Sequence, residues 1–190
     1  MNIKNFLNFI LFFLFFNSPI TLAKETWKLD KNLSSINFEL SVLFANNVKG
    51  TFKDIEGLVE IDLENNKNNK AIFSVTIDSI EMNYSKYKPL LLSDIFFDID
   101  NFPIALVDTR KFSYKNEKKL IINAELIIKD KSKITPISLE VYHLTTELIQ
   151  IKGKLTFSRT FFNIGTGIWS SKAILTDNAN IFINLFLFKE

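Results

Sequence analysis

The chain has 190 residues, of which 23 are Lys or Arg and 21 are Asp or Glu, so its net charge at neutral pH is +2. A balance this close to neutral, without a long basic run, gives no electrostatic reason to expect a nucleic-acid partner. The sequence has no cysteine, which excludes disulfides, cysteine-based zinc sites and attachment of a lipid through cysteine.

The first 23 residues have the layout of a secretory signal peptide. Lys4 supplies a positive charge, an apolar run extends from Phe6 to Phe16, and Ala23 ends the segment with a small residue. The apolar run is shorter than the roughly 20 residues that a membrane-spanning helix needs. We therefore predict export to the periplasm with cleavage after Ala23, and an uncleaved N-terminal anchor is the alternative. Residues 24–190 are expected to form one domain.

The first strands of this domain are predicted from strict alternation of apolar and polar residues. In 34–44 ("SSINFELSVLF") and 71–79 ("AIFSVTIDS") every second residue is apolar, which is typical of strands with one buried face and one wet face. The apolar positions of these two segments are Ile36, Phe38, Leu40 and Val42, and then Ala71, Phe73, Val75 and Ile77.

The segment 82–100 does not alternate. Leucines at 90–92 are followed by Ile95, Phe96 and Phe97, which would form a compact apolar surface on one or two helical turns, while Asp94 and Asp98 would face water. We predict a short helical flap that covers one end of the fold, with a new strand after Pro103. A moving gate and a permanent plug remain equal alternatives, since long apolar loops in barrels are often functional.

Alternation resumes in the second half of the chain. The segments are 120–129 ("LIINAELIIK"), 137–143 ("ISLEVYH") and 149–157 ("IQIKGKLTF"). Polar turns lie between the strands, at 64–70, 114–119, 129–133 and 145–147. Short polar hairpins favour antiparallel neighbours, so we predict an all-β domain, an antiparallel barrel of about eight strands, because closure removes the exposed edges of a sheet.

A barrel of this size can be filled by its own side chains or can hold one small ligand. The apolar stripes carry no charge suited to a polar substrate. The pattern is therefore compatible with a packed core and equally with a lumen that holds an apolar molecule.

Three features of the C-terminal half are candidates for a catalytic or ligand-binding role. His143 is the only histidine and ends a strand, so a surface or structural role is favoured over a catalytic one, and we predict that the protein is not an enzyme and holds no metal. Arg159 lies among aromatic residues, where it would cap the barrel end through hydrogen bonds to carbonyls, with ligand contact as the alternative. Gly165 and Gly167 lack the third glycine of a phosphate-binding loop and are expected at a bend.

The order of short motifs resembles the YceI-like family, exported bacterial proteins with a lipocalin-like antiparallel barrel that bind polyisoprenoid-type lipids. The most specific matches are the G-x-F motif at Gly50 to Phe52, the S-x-x-F-F-D and F-P segment at 93–103, and the R-x-x-F-x-I-G stretch at Arg159 to Gly165. The resemblance covers essentially all of 24–190 and implies the same fold and ligand class.

The sequence departs from the family's pattern at three places. Leu33 and Val42 stand where members usually carry histidines, and "YKPLL" at 87–91 replaces a polar run that normally precedes the double phenylalanine. The resemblance then implies either that this chain accepts a different or less polar end of the ligand, or that it has lost recognition of that end.

Together these observations predict a periplasmic carrier that sequesters one elongated apolar lipid, an isoprenoid, a quinone or a related molecule, in the barrel lumen, with no other cofactor. A packed barrel without a ligand and an outer-membrane barrel are the alternatives. Transient membrane contact and a homodimer are further partner hypotheses. The predicted ligand-binding residues are Phe38, Leu40, Phe73, Val75, Phe96, Phe97, Leu126, Leu139, Val141, Leu155, Phe157 and Arg159.

Overall fold

The computed structural model describes residues 24–42 and 47–190. The predicted signal peptide, residues 1–23, lies outside these residues. The described residues form eleven strands and one short α-helix. They are, in chain order, β1 (Lys24–Leu29), β2 (Ser35–Leu40), β3 (Val48–Phe52), β4 (Ile55–Asp62), β5 (Lys70–Thr76), β6 (Ile80–Met82), α1 (Lys88–Leu92), β7 (Ile104–Asp108), β8 (Lys119–Ile128), β9 (Lys131–His143), β10 (Leu148–Ser158) and β11 (Asn178–Lys189).

All strand pairs are antiparallel, and the sheet closes on itself through β1 and β11. The closed ring runs β1-β4-β5-β7-β8-β9-β10-β11 and returns to β1. The remaining strands belong to the same sheet: β2 pairs with β11, β3 with β2, and β6 with β3. The predicted antiparallel barrel of eight strands is therefore confirmed.

The number of strands exceeds eight because the first three strands of the barrel are each interrupted. β1 and β2 pair with the same strand, β11, and are separated by a turn at 30–34. There the hydroxyl of Ser34 accepts a hydrogen bond from the Phe186 N–H at 2.9 Å, so a side chain replaces one bond of the ladder. β3 is separated from β4 by Lys53 and Asp54, and β5 from β6 by one turn of 3-10 helix.

Alternate residues of each strand face the lumen, as the sequence pattern predicts. On β8, for example, Ile122, Ala124, Leu126 and Ile128 are buried, whereas Ile121 and Asn123 between them are exposed. Polar and charged side chains dominate the outer face. Among the described residues, no helix is long and apolar enough to cross a membrane.

The two ends of the barrel differ in what covers them. The plug end is where β8 finishes at Ile128 and β10 at Ser158, and it is covered by the plug, residues 83–102. The mouth end is where β9 finishes at His143, next to the mouth loop, residues 109–118, which joins β7 to β8.

Two predicted elements are shorter than expected. The helix of the predicted flap covers only Lys88–Leu92, because the chain then folds into consecutive turns in which the Ile99 N–H donates to the Leu92 carbonyl at 3.1 Å. The predicted turn at 129–133 contains only Lys129 and Asp130, because Ile128 already pairs with Lys131 across the hairpin.

Candidate functional site

The barrel encloses a cavity of about 210 Å³. All but four of its 37 lining residues are apolar, and the four exceptions are Thr109, Tyr114, His143 and Arg159. The lining extends along β10 from Ile149 to Phe157, which corresponds to roughly 27 Å along the strand at about 3.4 Å per residue. A small volume shared by so many residues indicates a narrow channel, a shape that suits a thin chain better than a compact molecule.

The structure places eleven of the twelve predicted ligand-binding residues on this channel. They are Phe38, Leu40, Phe73, Val75, Phe97, Leu126, Leu139, Val141, Leu155, Phe157 and Arg159. Phe96 does not line the channel. Its ring is buried but turns away from the lumen onto Trp169, with ring centroids 5.9 Å apart, and its carbonyl accepts a hydrogen bond from Lys129.

Several residues that line the channel were not predicted from the sequence. β11 contributes Ile181, Ile183 and Leu185, but the outward positions of the same strand carry Phe182, Phe186 and Phe188, so alternation is hidden. Trp27 and Tyr114 were missed for a different reason. β1 is short, and Tyr114 lies in a loop where no periodicity applies.

Arg159 is the central polar group of the plug end and is 0% exposed. Its guanidinium donates to the carbonyls of Thr176 at 2.9 Å, Leu175 at 2.7 Å and Ile164 at 2.9 Å, with a longer bond to Gly165. Burial lowers the pKa of Arg159, and the nearby Asp177 carboxylate opposes that shift. The arginine therefore caps the barrel end through carbonyls, as the sequence favoured.

Asp177 supports the same loop. Burial alone would raise the pKa of its carboxyl, but hydrogen bonds from Lys172, Thr160 and Ser158 outweigh this effect and hold the pKa well below its usual range. The carboxylate accepts from the Thr160 hydroxyl at 2.7 Å and from Lys172 at 2.8 Å. The loop that bears Arg159 is thus fixed from both sides.

The plug is bonded to that loop. The backbone N–H groups of Gly165 and Thr166 both donate to the Ile95 carbonyl at 2.9 Å. Leu91 of α1 is buried and lines the channel, and Phe97 packs edge-on against Phe52 with ring centroids 6.5 Å apart. These contacts favour a fixed cover over a moving gate.

At the mouth end the channel reaches the surface. His143 is the single exposed residue among the described residues that line the channel. Its Nε2 lies 3.1 Å from the hydroxyl of Tyr114, which also contacts the Asn116 side chain. Burial raises the pKa of Tyr114, and the negative charge of Glu117 adds to this effect.

The mouth loop is held in place by Asn69, which is fully buried. The amide of Asn69 accepts from the Asp62 N–H at 2.9 Å and donates to the carbonyls of Asn66 and Phe112. The Asp62 carboxylate in turn accepts from the side chain of Asn68 and from backbone N–H groups of the same turn, which lowers its pKa. Two loops of the mouth end are thereby joined.

The direction in which the side chains face can be compared with that in an outer-membrane barrel. Apolar residues face the lumen and polar residues face outward, whereas an outer-membrane barrel has a polar interior and an apolar outer band. The geometry is that of a barrel with an apolar internal site.

The family model for the YceI-like domain matches residues 27–186. The chain belongs to the YceI-like family. One relative, Protein YceI of Salmonella newport, is 29% identical over 139 residues, which cover 72% of this chain and 71% of that protein.

Solved structures of similar fold agree with the assignment. BcnA of Burkholderia cenocepacia superposes with a TM-score of 0.75 at 21% identity and covers 83% of this chain and 98% of its own. A polyisoprenoid-binding domain from Saccharophagus degradans gives a TM-score of 0.70 at 15% identity, covering 86% and 98%.

The departures from the family's pattern lie mostly outside the channel. Leu33 is in an exposed turn, and Val42 forms an isolated bridge with Leu175, so neither residue lines the cavity. In "YKPLL" only Leu91 reaches it. Leu33 and Val42, where the resemblance led us to expect histidines, therefore leave the apolar lining of this YceI-like barrel unbroken.

Proposed function

We propose that this protein sequesters one elongated apolar lipid in its lumen and carries it in the periplasm. The observation that supports this most directly is the narrow channel, which runs through a closed barrel and is lined almost entirely by apolar side chains. The eleven predicted residues that lie on the channel are proposed as ligand contacts. The proposal involves no catalytic step.

Burial of hydrocarbon would provide the binding free energy. Each CH₂ group removed from water contributes about 0.8 kcal/mol, so a long chain needs few polar contacts. A packed interior would exclude water-sized space, whereas here about 210 Å³ remains open. This open space is the reason to prefer a ligand-bearing barrel over a purely structural one.

The family and the shape of the channel support the proposed ligand class. A structural neighbour is described as a polyisoprenoid-binding domain, and a narrow apolar channel suits a linear isoprenoid or the tail of a quinone.

Export to the periplasm is proposed from the sequence of residues 1–23. Recovery of the protein in osmotic-shock fluid would support it, and retention inside spheroplasts would refute it.

The first experiment is organic extraction of the purified protein followed by mass spectrometry, and titration with a fluorescent isoprenoid. We expect one lipid per protein. Absence of a co-purifying lipid together with no uptake of the probe would replace the carrier with a packed structural barrel.

A pair of tryptophan variants on β5 locates the site. Val75 is buried and faces the channel, whereas Ile72 on the same strand is 51% exposed and faces outward. Val75→Trp should fill the narrow channel and abolish uptake, at a cost of about 1–3 kcal/mol from overpacking. Ile72→Trp should leave uptake unchanged. Equal uptake by the two variants would place the site elsewhere.

A further inference from the structure

The mouth loop carries an excess of positive charge. Residues 109–118 contain Arg110, Lys111, Lys115 and Lys118 against a single carboxylate, Glu117. By contrast, the plug contains two lysines and three aspartates. The mouth loop and the plug therefore differ in charge, although the chain as a whole is close to neutral.

Most of this positive charge is not paired with a carboxylate within the fold, although Lys118 lies over the Tyr142 ring at 5.1 Å from its centroid. Arg110 pairs with Glu125 on β8, but Lys111, Lys115 and Lys118 form no ion pair in the part of the chain that the structure describes. All three lysines are exposed. The Glu117 carboxylate accepts a hydrogen bond from the backbone N–H of Lys115 at 2.6 Å, so it is turned toward its own loop.

The same end carries exposed apolar side chains and the opening of the channel. Leu63 and Leu144 lie on two other loops of the mouth end and are 55% and 49% exposed. Tyr114 of the mouth loop contacts His143, the exposed residue of the channel lining. Charge, exposed leucines and the opening thus occur together.

We propose that the mouth end docks on the surface of an anionic lipid bilayer, with Lys111, Lys115 and Lys118 near the head groups and the channel open toward the membrane. Cations gain free energy at a negatively charged lipid surface, and leucines beside them can enter the boundary between head groups and chains. The inference rests on the proposed function, because a lipid carrier must meet the bilayer that supplies its ligand.

The attraction should depend on lipid charge and on salt. A lysine near an anionic membrane contributes about 1 kcal/mol, and screening at about 1 M salt shortens the range of the interaction to about 3 Å. Binding should therefore be detectable on vesicles of phosphatidylcholine mixed with phosphatidylglycerol, weak on phosphatidylcholine alone, and largely lost at high salt.

The test is vesicle flotation with two matched double variants, Lys111→Glu/Lys115→Glu at the mouth and Lys86→Glu/Lys133→Glu near the plug end. Each variant changes the net charge by the same amount. Lys86 and Lys133 are suitable controls because they too form no ion pair with a described carboxylate. We expect the mouth variant to bind anionic vesicles about 30-fold more weakly or worse, and the control to bind nearly as the unmodified protein does.

Two results would overturn the proposal: equal loss of binding in both variants, which would indicate net charge alone, or greater loss in the control, which would move the surface to the plug end. Thermal unfolding of both variants establishes that they fold.

Val75→Trp separates this inference from the proposed function, since a protein with a blocked channel should still dock on the vesicles. If isoprenoid delivered in detergent is taken up but no vesicle binding occurs, docking fails and the carrier function stands.

Discussion

At the plug end Arg159 is wholly buried and donates to backbone carbonyls, whereas at the mouth end Arg110 has a side chain that is 65% exposed and pairs with Glu125. The same residue type therefore performs two different tasks. A buried guanidinium satisfies carbonyls that would otherwise lack a partner, while an exposed one contributes little to stability.

The segments around the two arginines also differ in how they are held. The plug is joined to its neighbours by backbone bonds from Gly165 and Thr166 to Ile95, and it contributes Leu91 to the core. The mouth loop is held chiefly through Asn69, and most of its charged side chains face solvent. The plug is thus held by backbone hydrogen bonds and core packing, whereas the mouth loop leaves most of its charged side chains in solvent.

The largest expected effect separates the two arginines. Arg159→Met should lower the free energy of unfolding by about 3–5 kcal/mol, because several buried carbonyls lose their donor. Arg110→Met should cost less than about 1 kcal/mol, since it removes only an exposed ion pair. Urea denaturation of the two variants measures both values. Similar losses would contradict the distinction between a structural and a surface arginine.

A smaller effect is expected from a pair of glycines in the loop that holds the plug. Gly165 has a φ of +82°, and a Cβ there would lie 2.8 Å from Nη1 of Arg159. Gly165→Ala should destabilise by about 2–3 kcal/mol, since backbone strain and displacement of Arg159 add together. Gly167 has a φ of +60° but open space around it.

Gly167→Ala is the matched control for this substitution. It should cost only about 1 kcal/mol, from the backbone conformation alone. Thermal unfolding followed by circular dichroism compares the two variants, and a larger loss for Gly167→Ala would show that the Arg159 contact does not limit this position.

The smallest effect is a dependence on pH that originates at the plug end. The folded protein keeps Asp177 ionised at pH values where the unfolded chain, with an aspartate pKa of about 3.9, takes up a proton. Acid therefore favours the unfolded state, and the contribution of Asp177 is full above about pH 5 and decreases as pH falls toward the folded pKa.

Asp177→Asn should remove this contribution. We expect it to lower the free energy of unfolding by about 1–2 kcal/mol near neutral pH and to flatten its decline in acid. Urea denaturation between pH 7 and acidic pH measures the slope. An unchanged slope would mean that other carboxylates, such as Asp62, dominate acid unfolding.

Much of the fold was predictable because strands with one wet face record their orientation in the sequence. The faces of β5, β8 and β10 were predicted correctly from alternation, and closure followed from the need to remove edges. The interruptions near Asp30, Asp54 and Ile77 were not predicted. They depend on side-chain and backbone bonds across the sheet, such as Ser34 to Phe186, which leave no local pattern.

The site was predictable to the extent that it repeats the strand pattern. Residues such as Phe38 and Leu126 lie on the channel because every second residue does. Phe96, the one predicted residue that does not line the channel, lies elsewhere for a physical reason. In a segment of turns, orientation is fixed by tertiary contacts, here with Trp169 and Lys129, and not by spacing. Tyr114 and His143 meet only because the mouth loop returns beside the end of β9.

Among the described residues, the channel lining reaches an exposed residue at the mouth end, His143, and this gives the barrel a direction. With the far end occupied by Arg159 and the plug, a linear lipid would enter the lumen tail first and leave it head first. Its head group would then always remain beside Tyr114 and His143, where a donor or recipient could recognise the cargo without the barrel opening.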